Sequence, residues 1–193
     1  MATDYTTLTD EELVKQTLEK PDAYLFLMRR YETPLLRYIQ RILVVNEADA
    51  EDILQESFIK IYQHLNDFDL KLKFSSWVYR IVHNQAISFY RKHKNQAHIA
   101  TDDTEVWQFE QVASTEDLVE DLDNKIRQDQ IKQVLEKLDE KYREVLVLKF
   151  IEDKDYQEIS DILQKPIGTI GTLVHRAKKQ FKQIIDSNQA LLK

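Results

Sequence analysis

An all-α protein of two small helical domains is what this sequence predicts, and three observations carry that expectation. The 193 residues include only two glycines and three prolines, so little of the chain can be built from tight turns. Asn-Gly and Asp-Gly, the pairs that close two-residue hairpins, occur nowhere. Apolar residues recur instead at spacings of three and four, the period of a helix with one buried face.

In chain order, Thr9 before Asp10, Glu11 and Glu12 reads as an N-cap with acids in the first turn, opening a short helix to about Lys20. Pro21 and Asp22 end it and cap a longer one, whose stripe is expected to be Leu25, Met28, Leu35, Ile39, Ile42 and Leu43. Pro34 should kink or split that helix. Asn46 to Ala48 form a joint. From about Asp49 to Leu65 the pattern is strongly amphipathic, with Ala50, Ile53, Leu54, Phe58, Ile61 and Leu65 inward and Glu51, Asp52, Gln55, Glu56 and Lys60 outward. A connection over 67–74 then leads to a helix from about Ser75 to His93 or beyond.

Between Ala100 and Asp123 the acids crowd together without Lys or Arg and without clear periodicity, which reads as a flexible acidic linker. It divides the chain into a helical domain at 1–98, a linker at 99–124 and a second domain at 125–193. In the second domain, residues 126–138 are helical in pattern. A further helix, capped by Asp139, is expected to bring Val145, Leu146, Leu148 and Phe150 to a core. Asp155 and Glu158 stand at the two positions of a capping box. After a break at Gln164 and Lys165, Pro166 is placed as the first residue of a last helix that buries Ile170, Val174, Ala177, Phe181 and Ile184. A short helix, a tight turn and a longer basic helix make a helix-turn-helix.

The charge distribution points to a ligand. The chain has 34 acidic against 27 basic residues. Residues 70–101 nevertheless contain no acid but six cations, Lys71, Lys73, Arg80, Arg91, Lys92 and Lys94, interleaved with Phe74, Trp77, Tyr79, Phe89 and Tyr90. Residues 162–185 are also acid-free and carry Lys165, Arg176, Lys178, Lys179 and Lys182. Cations mixed with flat apolar side chains suit a polyanion with unstackable bases, so the pattern reads as two nucleic-acid faces on an otherwise repelling body. The bland alternative for each window is a solvated basic face of an ordinary amphipathic helix. Cysteine is absent, which excludes disulfides and thiolate metal sites and suggests a reducing compartment. No signal peptide is legible at the N-terminus and no apolar run approaches the roughly 18 residues that span a bilayer, so a cytoplasmic protein without membrane insertion is expected. Catalysis finds no support: the five histidines form no spaced ligand set, no Gly-rich phosphate loop exists, and neither metal nor cofactor is expected.

These residues resemble a known family. The segment DAEDILQESFIKIYQHLNDFD at 49–69 is similar to the first-domain helix of bacterial RNA polymerase sigma factors of the extracytoplasmic-function class. Phe74, Trp77, Val78, Tyr79, Arg80, Ile81, Asn84, Arg91 and Lys92 resemble the element that follows it. Leu138, Arg143, Val145, Leu146, Leu148, Tyr156, Glu158 and Ile159 resemble the second domain, and Pro166, Gly168, Thr169, His175, Arg176 and Ala177 its closing motif. Where that family usually has Lys-Ser-Arg, this chain has Gly171, Thr172 and Leu173, so a promoter preference does not transfer. Ser88 and His83 also stand where an acid and an Arg are common.

The resemblance implies a protein that directs core RNA polymerase to specific promoters. Its first domain would bind the polymerase clamp and the −10 element, and its second the polymerase flap and the −35 element. Asp49, Asp52, Gln55 and Glu56 would face polymerase. Base capture at −10 would fall in the loop 67–74 and the start of the next helix. Lys71, Lys73, Arg80, Arg91 and Lys92 would hold the backbone, with Phe74, Trp77 and Asn84 beside them. Trp77 fits a core position as well as a stacking one, and Asn84 fits a base, a phosphate or a local cap. In the second domain Thr169, Thr172, Leu173 and Arg176, spaced by three and four, would face the bases of a major groove, with Leu173 equally suited to packing. Lys178 and Lys179 would meet phosphates. An anti-sigma factor is a frequent restraining partner in this class. Two other readings stay open: a stand-alone helix-turn-helix regulator binding duplex DNA without polymerase, and an interaction module whose basic faces bind acidic proteins.

Overall fold

The computed structural model describes residues 5–43, 45–70, 72–100, 131 and 133–191. Among them every regular element is helical. Lys71 and the stretch 101–130, which includes most of the expected acidic linker, lie outside the described residues.

Helix α1 spans Asp10–Glu19. Its start is the expected one: Thr9 Oγ1 accepts from the Glu12 N–H at 3.2 Å and Glu12 Oε2 accepts from the Thr9 N–H at 2.8 Å. Helix α2, Tyr24–Ile42, follows a single 3₁₀ turn. Asp10 joins the two helices by accepting from Arg30 Nη1 at 2.6 Å and from the Tyr31 hydroxyl at 2.5 Å. Pro34 does not split α2. It sits on the exposed side, where the Arg30 carbonyl left without a helical donor can meet water. The buried stripe of α2 also differs from expectation. Tyr24, Leu27, Tyr31, Leu35, Tyr38, Ile39 and Ile42 are inside, whereas Leu25 is exposed. Tyrosines with a polar tip and an apolar body set the register, each hydroxyl finding a partner, as Tyr24 does in donating to the Phe58 carbonyl at 2.6 Å.

Helix α3, Glu47–Gln63, opens two residues before the expected Asp49 because Asn46 Oδ1 accepts from the Asp49 N–H at 2.8 Å. Its inward and outward residues fall as the sequence pattern predicts. Helix α4, Phe74–Ala100, is the central element, packed on α2 and α3. Phe74 and Val82 are almost fully enclosed.

In the C-terminal unit residues 133–136 are helical and precede α5, Glu140–Leu146. Asp139 stands at the N-cap of α5, but its side chain accepts no capping bond. A π-helical turn, Val147–Ile151, continues α5. The wider turn shifts the register, and Phe150, expected in or near the core, is 54% exposed. Helix α6, Tyr156–Leu163, has a complete capping box from Asp155 and Glu158, each bond 2.8 Å. Helix α7, Ile167–Leu191, follows after three residues. Ile170, Val174 and Ala177 are buried and Phe181 and Ile184 pack against them.

The turn between α6 and α7 depends on Gln164, which adopts a left-handed conformation with φ 52° and ψ 43°. Such a conformation favours glycine. Gln164→Gly relieves roughly 1–2 kcal/mol of left-handed strain against about 0.4–1 kcal/mol of added freedom in the unfolded chain, so a small net stabilisation is expected, read as a higher urea midpoint at unchanged slope.

Candidate nucleic-acid interface

Helix α4 is covered on one side by α2 and α3 and on another by α6 of the C-terminal unit. What remains open is a narrow stripe. Arg80 is half-buried, and Asn84, Ser88, Arg91 and Lys92 are exposed, following one another at steps of four, four, three and one. Asn84 and the two distal cations are therefore available to a ligand. Phe74, by contrast, is 1% exposed, with its ring centroid 5.8 Å from Tyr31, 5.2 Å from Phe68 and 5.6 Å from Trp77. It is a core residue, and the expectation that it meets DNA is corrected. Trp77 lies at the head of the same stripe, three residues before Arg80, but Phe68 of the preceding loop packs on it at 5.3 Å and the two rings bury each other. In this state it is no open stacking platform.

The outward face of α3 is as expected for Asp52, Gln55 and Glu56, while Asp49 is half-buried beside the helix start. Glu56 has a further role that periodicity does not show. It accepts a hydrogen bond from the amide of Gln85 on α4, whose oxygen accepts from Lys60. Gln85 is buried, and this relay satisfies it.

In the C-terminal unit, Pro166 is exposed just before α7, and Gly168, Thr169, Thr172, His175, Arg176 and Lys179 are exposed on it, opposite its buried stripe. The Thr172 hydroxyl donates to the Gly168 carbonyl at 3.0 Å. Leu173 is half-buried and packs on the core, as its packing alternative has it. Gly171 has room for a side chain: an added Cβ would meet Tyr156 Cε2 at 3.9 Å, ordinary contact. Lys178 leaves this face. Its Nζ lies 4.8 Å from the centroid of Phe150, beside a cavity of about 370 Å³ lined by Ile131, Leu135, Leu146, Phe150, Ile151 and Phe181. That places it away from Thr172 and Arg176.

A polar seam joins the two units, and its long-range pairs have no counterpart in the sequence pattern. Glu152 is the hub: Arg41 Nη1 donates to it at 2.9 Å and the Tyr79 hydroxyl at 2.6 Å, with the carboxylate side chain only 8% exposed. Burial, then the bond to Glu152, push the Tyr79 hydroxyl well above the ordinary range. Lys73, an expected backbone-holding cation, is engaged by Glu158 at 3.2 Å and Asp155 at 3.6 Å, and these carboxylates raise its pKa. Arg143 Nη1 donates to the Ile42 carbonyl at 3.3 Å.

Deeper in the seam, His83 Nδ1 pairs with the Tyr38 hydroxyl at 3.0 Å, and Nε2 lies 3.8 Å from Glu144. Burial, reinforced by Lys165 and Arg91, lowers His83 to about 4, so near neutrality it is uncharged and this contact is no ion pair. Burial raises Glu144 to about 7; Lys165, Arg143 and Arg91 pull it down and Glu140 pushes it up.

Glu144 binds a proton more tightly in the fold than in the open chain. Its favourable contribution is full below the ordinary carboxylate value of 4.5 and is lost as pH rises through about 7. Glu144→Gln keeps the neutral shape and removes that loss. The stability of E144Q relative to the unsubstituted protein is therefore expected to rise by ~1.4 kcal/mol per pH unit through this range, measured by urea unfolding at a series of pH values. A gap that does not change with pH would show Glu144 to be solvated.

The geometry is matched by likeness to known proteins. The chain matches the family model of Sigma-70 region 2 over residues 27–96 and that of Sigma-70 region 4 over residues 128–181. It is 34% identical over 169 residues to the ECF RNA polymerase sigma factor SigW of Bacillus subtilis, covering 84% of this chain and 88% of that protein. To the ECF RNA polymerase sigma-E factor of Escherichia coli K12 it is 28% identical over 179 residues, 89% of this chain and 92% of that one. Two solved structures share the fold. One is CnrH in complex with the cytosolic domain of CnrY, with a TM-score of 0.69 at 21% identity over 92% of this chain and 97% of that one. The other is the sigma factor RpoE of Bartonella quintana in complex with the anti-sigma factor NepR, at 0.64 and 19% over 82% and 94%.

Proposed function

The chain belongs to the extracytoplasmic-function class of the sigma-70 family, and on that premise we propose which surfaces perform its task. Its function is that of an RNA polymerase sigma factor: it directs core polymerase to specific promoters and starts transcription there. Core polymerase and promoter DNA are its partners; the Bartonella relative is held by the anti-sigma factor NepR, and a partner of that kind is part of the proposal for this chain. No described helix is long and apolar enough to cross a membrane, in keeping with action in the cytoplasm.

The observation that carries the assignment is the pair of acid-free faces on a chain of net charge −7, one on each unit. Residues 1–98 serve the −10 element and 125–193 the −35 element, joined by 99–124. On the first unit Arg80, Asn84, Arg91 and Lys92 line the path of a separated strand, with Lys73 joining them once released from its carboxylate partners. Unstacking a base step costs a few kcal/mol and stacking returns roughly 1–3 kcal/mol per base. No single contact keeps a duplex open, so polymerase binding must contribute. Asp52, Gln55 and Glu56 present carboxylate and amide groups to the clamp. On the second unit α7 enters a major groove with Thr169, Thr172 and Arg176 toward the bases, while His175 and Lys179 flank them near the phosphates. Lys178, held over Phe150, contributes to the long-range field instead.

A stand-alone regulator would bind duplex DNA without polymerase, and nothing in such a role calls for the acidic face of α3 or the stripe of α4. The test is run-off transcription with core polymerase on a promoter library. The unsubstituted chain is expected to give discrete starts. Arg176→Ala should lower transcription about tenfold or more, in line with the ~1–3 kcal/mol of a base-directed contact. Asn84→Ala combined with Arg91→Ala should slow open-complex formation while leaving core binding unchanged. Core polymerase that yields no start with the chain present overturns the assignment.

A further inference from the structure

Helix α3 turns Asp52, Gln55 and Glu56 outward, and the last of these is gripped from inside the domain. Glu56 and Lys60 are four apart on α3, the spacing at which a carboxylate and an ammonium on an exposed helix face close on each other. A third side chain stands between them instead. Gln85 reaches across from α4, its amide nitrogen donating to Glu56 Oε2 and its amide oxygen accepting from Lys60 Nζ. Glu56 and Lys60 are exposed, whereas Gln85 is only 8% exposed.

The chemistry of the three groups fixes their arrangement. A carboxylate only accepts and an ammonium only donates, so an amide between them has one orientation that satisfies both. Leaving a buried amide unpartnered is costly, which binds Gln85 to the two surface groups as firmly as they are bound to it. The Glu56 side chain is thereby held in one conformation before any partner arrives. Lys60, engaged by the amide oxygen, does not neutralise the carboxylate directly. Glu56 Oε1 takes no hydrogen bond from any described residue, and stays open to an incoming cation or N–H.

We propose that Gln85 is a positioning residue for polymerase docking: from the α3–α4 interface it holds the Glu56 carboxylate in the conformation that meets the clamp, a role that rests on assigning this face of α3 to core polymerase. Ordering a flexible acidic side chain ahead of time removes a cost that otherwise falls on binding, about three- to tenfold in affinity for one side chain. Without Gln85 the charge of Glu56 remains, but the clamp must select one conformation from many.

The chain has no cysteine, so Glu19→Cys, an exposed position on α1, takes a single fluorophore. Its anisotropy on titration with core polymerase gives the dissociation constant. Gln85→Leu preserves the bulk of the side chain and removes both bonds, and is expected to weaken core binding about three- to tenfold. In a Glu56→Ala background, where no carboxylate is left to hold, the same substitution should change affinity by less than about twofold. Loosened helix packing would instead weaken binding equally in both backgrounds. An equal loss in both therefore overturns the proposal, as does unchanged binding of Gln85→Leu with Glu56 present.

Lys60→Met tests the same relay from the surface, without a change in the interior. Removing a cation makes the chain more negative, which by charge alone favours a partner that receives carboxylates. Loss of the group that orients Gln85 predicts weaker binding, and only while Glu56 is present. Unchanged or tighter binding of this variant overturns the positioning role. An unsubstituted chain that does not bind core polymerase removes the sigma assignment itself, whereas binding without coupling between positions 85 and 56 removes only the role of Gln85.

Discussion

The two-sided burial of α4 is the constraint on which the rest depends. This helix carries Phe74, Val78, Val82 and Ala86 toward α2 and α3, and Tyr79 and His83 toward the C-terminal unit. Burying one large apolar side chain contributes roughly 1.5–3 kcal/mol, so a helix covered on two sides gains from both. The cost is that polar groups come inside with the apolar ones. Most are matched: Gln85 by Glu56 and Lys60, His83 by Tyr38, Tyr79 by Glu152, while the buried Ser76 hydroxyl has no partner. The exposed stripe of Arg80, Asn84, Ser88, Arg91 and Lys92 is what that packing leaves uncovered.

Charge does different work in the two kinds of surface. On the stripe and on α7 the cations are solvated, adaptable and suited to a polyanion, and their attraction falls with salt. In the seam the same chemistry is enclosed. Glu152 with its two donors contributes little net stability, because desolvating the carboxylate offsets most of the Coulomb gain. Its effect is geometric: only one placement of the C-terminal unit brings both donors to it. Lys73 belongs to both worlds, since it sits at the head of the stripe and is paired across the seam.

The helix-turn-helix is built from local devices. A capping box starts α6, a left-handed Gln164 ends it, and Pro166 accepts the first bonds of α7 from Thr169 and Ile170 at 2.8 and 3.1 Å. These fix the angle at which α7 presents Thr172 and Arg176. Gly171 and Thr172 thin the cations on that face. The packing does not demand the glycine, since an added Cβ has room.

Much of this was legible in the residues alone, because helices and caps are decided by neighbours three or four positions away. The inward set of α3, the N-cap at Thr9, the capping box at Asp155 and the buried stripe of α7 all follow from that short range. So does the segregation of cations into two windows. Misreadings arose where a longer-range influence competed. In α2 the tyrosines won the core from Leu25, since their hydroxyls found partners on other elements. The π-helical turn moved Phe150 outward by adding a residue to one turn. Phe74 looked like part of a binding surface because an aromatic beside lysines has the same pattern whether it stacks on a base or on Phe68. What only the tertiary structure decided is the seam. Arg41 and Glu152 are 111 residues apart, and Tyr79 and Glu152 are 73 apart. No periodicity links such positions, because the bond between them exists only once two separately folded units have met.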